Sequence, residues 1–222
     1  MTPRLITMLT HHDETVRDAF AVFNECADLP APFWGFKDVG LPKEKMKKLV
    51  RLMKEKGKTT FLEVVSLSEP ECLDGAQLAL ECGFDYLMGT VFYDSVFRLM
   101  KENPIHFFPF CGKVSGHPSI LEGEIPEIVA SGRRMVTRGV HGFDLLAYRY
   151  AGDAEKLAAA FIRGVEVPVV LAGSVDSFAR LDAVKRLAPW AFTIGSAFFE
   201  RKFRPEGGFR DQVATVLDYL EH

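Results

Sequence analysis

Leu171-Ala-Gly-Ser174 and Thr193-Ile-Gly-Ser196 are two short segments near the end of the chain, and each is an apolar run that breaks into Gly-Ser. Glycine lets the main chain approach an anion closely, and N–H groups at a helix N-terminus point towards it. In a (β/α)8 barrel, the loops after strands seven and eight commonly form a phosphate site. The two segments therefore predict the phosphate-binding end of such a barrel, provided that they follow its last two strands.

The number of strands fits this interpretation. Short apolar runs alternate with longer amphipathic segments along the whole chain, which is typical of repeated β-α units with a parallel sheet. No Gly-x-Gly-x-x-Gly opens the first helix, which argues against a dinucleotide-binding open sheet. We predict an α/β protein with a single (β/α)8 (TIM) barrel domain over residues 1–222. The eight predicted strands are Leu5–Thr10, Phe33–Lys37, Thr59–Val65, Tyr86–Val91, Ile105–Cys111, Phe143–Tyr148, Val169–Ala172 and Phe192–Ile194.

The composition of the chain is typical of a globular protein that binds neither nucleic acid nor a membrane. The chain has 222 residues, of which 48% are hydrophobic, enough for one large core, and its net charge is −3. That charge predicts no general attraction to nucleic acid or to a membrane surface. There is no run of membrane-spanning length, and the four cysteines form no Cys-x-x-Cys pair. We expect a cytoplasmic protein with reduced thiols; its oligomeric state stays open, a homo-oligomer included.

One phrase occurs at the start of two predicted strands. Cys82-Gly-Phe-Asp85 and His141-Gly-Phe-Asp144 each place a helix-ending glycine two residues before an aspartate. This alignment predicts that Asp85 and Asp144 lie at the N-terminal end of the barrel, opposite the phosphate site. We expect both to serve stability there.

The third predicted strand contains the clearest candidate for catalysis. Glu63 lies within Phe61-Leu-Glu-Val-Val65, where alternation turns it towards the barrel interior. A buried carboxylate needs a cationic partner or a role in proton transfer. Lys37 ends the preceding strand and is within reach as an acid–base partner or an imine-forming amine. The alternatives are a structural ion pair for Glu63 and a surface position for Lys37.

Two further cations follow later strands. Lys113 opens a long connection that runs through Val114–Gly123, and we expect it to hold negative charge on the substrate. That connection, with His117, is either a mobile lid or an ordered surface loop. Arg149 follows the sixth strand, where it would bind a phosphate or carboxylate; the alternative is an ordinary surface arginine.

The segment His11-His12-Asp13 resembles a metal site only superficially. Two strand residues that face one ion usually alternate, whereas these histidines are adjacent. We predict no metal site, and we interpret Asp13 as the N-cap of a helix over Glu14–Ala27.

The chain resembles the ribulose-phosphate-binding barrel superfamily. The resemblance rests on Val170-Leu-Ala-Gly-Ser-Val175, on Phe192-Thr-Ile-Gly-Ser-Ala197 and on the order of β-α units. It implies a phosphate cradle, and its members include isomerases, epimerases, decarboxylases, aldolases and regulators related to glycerol antiterminator proteins. Two features depart from the pattern: the decarboxylases' Asp-x-Lys is absent from strand three, and Ala172-Gly173 stands where many members have Gly-Gly.

These observations predict an enzyme that acts on a small phosphorylated carbon compound by proton transfer next to a carbonyl. A sugar-phosphate-type lyase, isomerase or epimerase fits, with Lys37, Glu63 and Lys113 as the catalytic set. No cofactor is predicted, although an FMN-binding barrel is one alternative and a non-catalytic phosphate-ligand regulator is another. The predicted phosphate-binding residues are Gly173, Ser174, Gly195, Ser196 and Arg149.

Overall fold

Eight parallel strands form one sheet in the computed structural model, which describes residues 2–116 and 118–222. The strands are β1 (Arg4–Met8), β2 (Phe33–Lys37), β3 (Thr59–Val64), β4 (Tyr86–Gly89), β5 (His106–Phe108), β6 (Phe143–Leu145), β7 (Val169–Leu171) and β8 (Ala191–Ile194). All eight correspond to predicted strands.

Helices follow the strands in sequence. They are α1 (Ala19–Cys26), α2 (Lys43–Glu55), α3 (Glu69–Cys82), α4 (Asp94–Lys101), α5 (Ile125–Arg138), α6 (Ala154–Gly164), α7 (Phe178–Leu187), α8 (Ser196–Phe199) and α9 (Phe209–Glu221). A 3-10 turn, Ala147–Arg149, follows β6. No helix in the described ranges is long and apolar enough to cross a membrane.

The sheet closes into a barrel. Its strand order is β6-β7-β8-β1-β2-β3-β4-β5, so β5 and β6 are its two edges. Two backbone hydrogen bonds join these edges: His141 N–H donates to the Phe107 carbonyl (3.1 Å), and Asp144 N–H donates to the Pro109 carbonyl (3.2 Å). The (β/α)8 prediction is therefore confirmed.

Aromatic side chains fill the N-terminal half of the barrel. The Trp190 ring centroid lies 5.4 Å from that of Phe33, 5.7 Å from Tyr86 and 5.5 Å from Phe108. Towards the C-terminal ends of the strands, the inward-facing side chains change from apolar to polar. On β2, Lys37 lies on the same face as Phe33, and on β3, Glu63 lies on the same face as Phe61. The polar chemistry of the interior is thus confined to the C-terminal end.

The chain after β1 does not enter a helix where the sequence predicted one. Thr10–His11 pairs with Glu14–Thr15 in an antiparallel hairpin, and α1 begins only at Ala19. The N-cap interpretation of Asp13 is therefore wrong. The hairpin is favoured over a helix here because the Thr15 side chain forms hydrogen bonds with the backbone of Lys37 on β2.

The two aspartates of the repeated phrase have different positions. Asp85 precedes β4, accepts hydrogen bonds from Thr60 N–H and Oγ1 (both 2.8 Å) and pairs with Lys54 at the N-terminal end. Asp144 lies inside β6, which begins one residue earlier, and its side chain is fully buried in the barrel interior. The prediction that Asp144 lies at the N-terminal end is therefore wrong. In the first copy of the phrase the strand starts after the aspartate, at Tyr86, and in the second it starts before the aspartate, at Phe143.

The long connection after β5 forms an ordered hairpin, Lys113–Ser115 with Ile120–Glu122. Leu121 is buried, and its carbonyl accepts a hydrogen bond from Ala151 N–H (3.0 Å). The hairpin is therefore docked on the loop that follows β6. His117, named above with the lid alternative, lies outside the described residues.

Helix α3 approaches β3 through Gly75, and this contact gives a test of the packing. A β-carbon at Gly75 would lie 2.7 Å from each γ-methyl of Val64. Gly75→Ala should lower the free energy of unfolding by about 1–3 kcal/mol through overpacking. Val64→Ala removes those methyl groups, so the double variant should lose less than the sum of the two single variants, by about 0.5 kcal/mol or more. Urea unfolding of all four proteins measures this coupling, and additive losses would contradict the close approach.

Candidate functional site

One cavity opens at the C-terminal ends of the strands, with a volume of about 160 Å³. Its wall comes from the ends of β2 and β3 and from the loops after β1, β6, β7 and β8. Seven of the eight predicted site residues line it: Lys37, Glu63, Arg149, Gly173, Ser174, Gly195 and Ser196.

Lys37 and Glu63 form a buried ion pair at the base of this cavity. They are register partners on β2 and β3, and Lys37 Nζ lies 3.5 Å from Glu63 Oε1. Burial lowers the pKa of Lys37, but the charges of Glu63 and Asp13 outweigh burial and the pKa is raised. Lys37 is thus an ammonium ion at neutral pH, which favours a role as a cation over imine formation.

Asp13 is a site residue that the sequence analysis missed. Its Oδ1 lies 2.7 Å from Lys37 Nζ and 3.1 Å from Arg149 Nη2. Burial acts to raise its pKa, yet the hydrogen bonds and charges of the two cations lower it to about 2. The available signal was its position directly after the first strand of a barrel, where catalytic residues collect.

The two Gly-Ser turns lie side by side at the cavity, because they follow the neighbouring strands β7 and β8. Gly173 has a φ of 105°, which disfavours other residues, and a β-carbon at Gly195 would lie 2.8 Å from the Thr10 carbonyl oxygen. Among the described residues, no acceptor takes the backbone N–H of Ser174, Gly195 or Ser196. These unpaired donors at adjacent turns are what an anion requires.

Arg149 reaches the same cavity from the 3-10 turn after β6. Its guanidinium forms an ion pair with Asp13, and 26% of its side-chain surface is exposed to solvent. Arg149 can therefore contact a ligand that enters from solvent.

Two carboxylates at the rim have cationic partners of their own. Asp176 lies 3.2 Å from Arg180, and Glu200 lies 3.5 Å from Lys202. Their charge is therefore partly balanced beside the Gly-Ser turns.

The structure does not bring Lys113 to the cavity. It lies on the hairpin after β5 with 76% of its side chain exposed, and its Nζ is 3.7 Å from Glu122. The hairpin packs towards the loop after β6, so Lys113 does not line the cavity. We therefore give up the expectation that Lys113 holds negative charge on a substrate.

Asp144 lies in the interior next to this cluster. Its side chain is fully buried, and neither carboxyl oxygen has a hydrogen-bond partner among the described residues. Burial first, and then the charge of Glu63, raise its pKa well above the usual value, against the opposing charges of Lys37 and Arg149. Burial therefore favours the protonated, neutral form of Asp144 over the carboxylate. Within the same ranges, no group of three or more His, Cys, Asp or Glu residues is placed to hold a metal ion.

Comparisons with known proteins show the fold. No protein-family model matches the chain, and no curated protein matches it at the sequence level. It is similar to the tryptophan synthase complex from Pyrococcus furiosus (TM-score 0.69, 12% identity, 97% of this chain and 98% of that chain). It is similar to native KDPGal (TM-score 0.68, 13% identity, covering 100% of this chain and 96% of that chain). It is also similar to orotidine 5'-phosphate decarboxylase from Thermotoga maritima (TM-score 0.63, 13% identity, covering 98% of this chain and 100% of that chain). These neighbours show the (β/α)8 barrel fold, as the sequence predicted.

The raised pKa of Asp144 has a consequence for stability. In the unfolded chain an aspartate loses its proton near pH 4, whereas folded Asp144 keeps its proton to a higher pH, so folding stability falls as the pH rises from about 4 towards the raised pKa. Asparagine cannot ionise, so a variant with asparagine at this position does not lose that stability. The free energy of unfolding of Asp144→Asn relative to wild type should therefore increase as the pH rises above about 4.

Urea unfolding at a series of pH values measures that difference. Asp18→Asn is the matched control, because Asp18 is exposed at the start of α1 and caps it with no side-chain bond. A difference between Asp144→Asn and wild type that stays constant with pH would show that the pKa of Asp144 is not raised in the folded protein.

Proposed function

We propose that this protein is an enzyme that acts on a small phosphorylated carbon compound, by lyase, isomerase or epimerase chemistry that begins with proton transfer next to a carbonyl. One observation carries the proposal. A single cavity at the C-terminal end of the barrel holds a buried Lys37–Glu63 pair and two glycine turns with unpaired N–H groups.

The glycine turns would bind the phosphate group. Ser174, Gly195 and Ser196 offer backbone N–H groups, and the seryl hydroxyls add further donors. Arg149 would contact the same anion or a second one, since its guanidinium carries more donors than Asp13 accepts.

The ion pair would carry out the chemistry. The Glu63 carboxylate would take a proton from the carbon beside the substrate carbonyl, and the electron pair of the broken C–H bond would move to the carbonyl oxygen. The Lys37 ammonium would stabilise the resulting enolate. Return of the proton to another carbon or face gives isomerase or epimerase chemistry, and cleavage of a neighbouring bond gives lyase chemistry.

The size of the cavity favours a small ligand. A volume of about 160 Å³ is below the roughly 300–1,000 Å³ of pockets that hold drug-sized ligands. This supports a short phosphorylated compound over flavin mononucleotide. A regulator that binds phosphate without turnover is the rival that the experiments below distinguish.

The first test is anion binding. Gly173→Asp should abolish the binding of inorganic phosphate in isothermal titration calorimetry, because the carboxylate occupies the turn and repels the anion. Gly139→Asp is the matched control: its φ of 103° resembles the 105° of Gly173, but it lies at the end of α5 with nothing within 4 Å of an added β-carbon. Equal phosphate affinity in the two folded variants would contradict the proposed cradle.

The second test is proton transfer. Short-chain aldose and ketose phosphates are incubated with the protein in deuterium oxide, and ¹H NMR follows the loss of the C–H signal beside the carbonyl. Glu63→Gln conserves volume but removes the base, so exchange should fall by about a hundredfold or more. Glu102→Gln, an exposed glutamate after α4, should leave it unchanged.

Two results would contradict the enzymatic proposal. Phosphate binding with no exchange of any compound would favour the regulator. Exchange that persists in Glu63→Gln would assign the base to another residue and leave the Lys37–Glu63 contact as a structural ion pair.

A further inference from the structure

The turn between the two hairpin strands after β1 has an unusual backbone. His12 and Asp13 have φ values of 51° and 63°, so two consecutive non-glycine residues adopt the left-handed conformation. A two-residue hairpin turn of this kind requires a positive φ at both positions, where asparagine, aspartate and glycine are usually found. Asparagine and aspartate tolerate this region better than most residues do.

The hairpin is fixed to the end of β2. Thr15 Oγ1 donates to the Lys37 carbonyl (2.7 Å) and accepts from Lys37 N–H (3.0 Å), and Thr15 N–H donates to the Val39 carbonyl (3.0 Å). These bonds tie the turn that carries Asp13 to the strand that carries Lys37.

The Asp13 carboxylate joins cations from two opposite walls of the barrel. Lys37 is on β2, and Arg149 follows β6, four strands away in an eight-stranded sheet. Oδ1 contacts Lys37 Nζ at 2.7 Å and Arg149 Nη2 at 3.1 Å, while Oδ2 lies 3.5 Å from Arg149 Nη1. The side chain of Asp13 is only 12% exposed, so these contacts are largely shielded from water.

We propose that Asp13 is the positioning residue of this site, whose carboxylate directs the Lys37 ammonium at Glu63 and holds the Arg149 guanidinium over the cavity. The proposal rests on the proposed function only for the statement that Lys37 and Glu63 react with the substrate. It gives the turn a purpose, because the residue at its tip contacts cations from β2 and from the loop after β6.

The rival is a side chain that only fixes the hairpin turn in place and does not act on Lys37, and the state of Lys37 separates the two roles. Without the Asp13 charge, Lys37 keeps one close carboxylate, and burial disfavours its ammonium form. The charged or titratable groups that act on Lys37 from the surrounding elements are Asp13, Asp38, Glu63, Asp144 and Arg149.

The experiment follows Lys37 directly. Protein labelled with ¹⁵N-lysine is titrated by NMR from about pH 7 to pH 11, a range that spans the ordinary lysine pKa. Lys37→Arg identifies the Nζ signal. In Asp13→Asn, which suits the left-handed backbone, Lys37 should bind its proton about tenfold more weakly than in wild type or weaker still. Asp18→Asn makes the same chemical change on the same connection and should leave the titration unchanged.

The Asp13 variants give results that decide for or against the positioning role. A Lys37 titration that is unchanged in folded Asp13→Asn would overturn the proposal. Should Asp13→Asn not fold, Asp13→Gly accepts the φ of 63° and takes its place. Failure of both to fold, with Asp18→Asn folded, would make Asp13 a structural residue and would also overturn the proposal.

The exchange assay gives a second, independent readout. With any phosphorylated compound that wild type exchanges, Asp13→Asn should lower the rate constant about tenfold or more, and should move the basic limb of the pH profile to lower pH. A wild-type profile in Asp13→Asn would refute the positioning role while the proposed function stands. If no compound exchanges, the proposed function fails, and the Lys37 titration still decides the role of Asp13.

Discussion

A lysine ammonium inside a barrel of apolar side chains is stable only when carboxylates accompany it. Lys37 is 4% exposed, and the desolvation of such a charge is expensive unless close partners compensate. Glu63 supplies one partner through strand register, and Asp13 supplies the other by folding over the mouth of the barrel. The path of the chain after β1, the position of Arg149 and the polarity of the cavity all depend on this cluster.

The division of the barrel into an aromatic half and a polar half explains why the cluster sits where it does. The rings around Trp190 fill the N-terminal half, and the cavity opens at the C-terminal end. The Gly-Ser turns after β7 and β8 reach that same end because parallel strands share their direction. The Gly-Ser turns and the buried Lys37–Glu63 pair are therefore neighbours by topology, as the proposed chemistry on a phosphorylated compound requires.

Much of this arrangement could be predicted because it follows from periodicity. Alternation along β3 turned Glu63 inward, register placed Lys37 beside it, and the Gly-Ser pattern marked the last two strands. Asp144 was misplaced because the strand begins after the aspartate in one copy of the phrase, at Tyr86, and before it in the other, at Phe143, so that Asp144 lies within its strand. Asp13 and Lys113 depend on two hairpins whose paths are set by tertiary contacts, by Thr15 with β2 and by Leu121 with the loop after β6. No local pattern contains those contacts.

A crystal structure of the protein grown in phosphate tests the anion site most directly. We expect an anion between the turns Gly173–Ser174 and Gly195–Ser196, with its oxygens about 2.7–3.2 Å from the backbone nitrogens of Ser174, Gly195 and Ser196. We also expect Arg149 to face the anion and the Lys37–Glu63 pair to lie at the other side of the same cavity. A phosphate bound elsewhere on the barrel, with only water at this position, would show that the Gly-Ser turns are not the anion site.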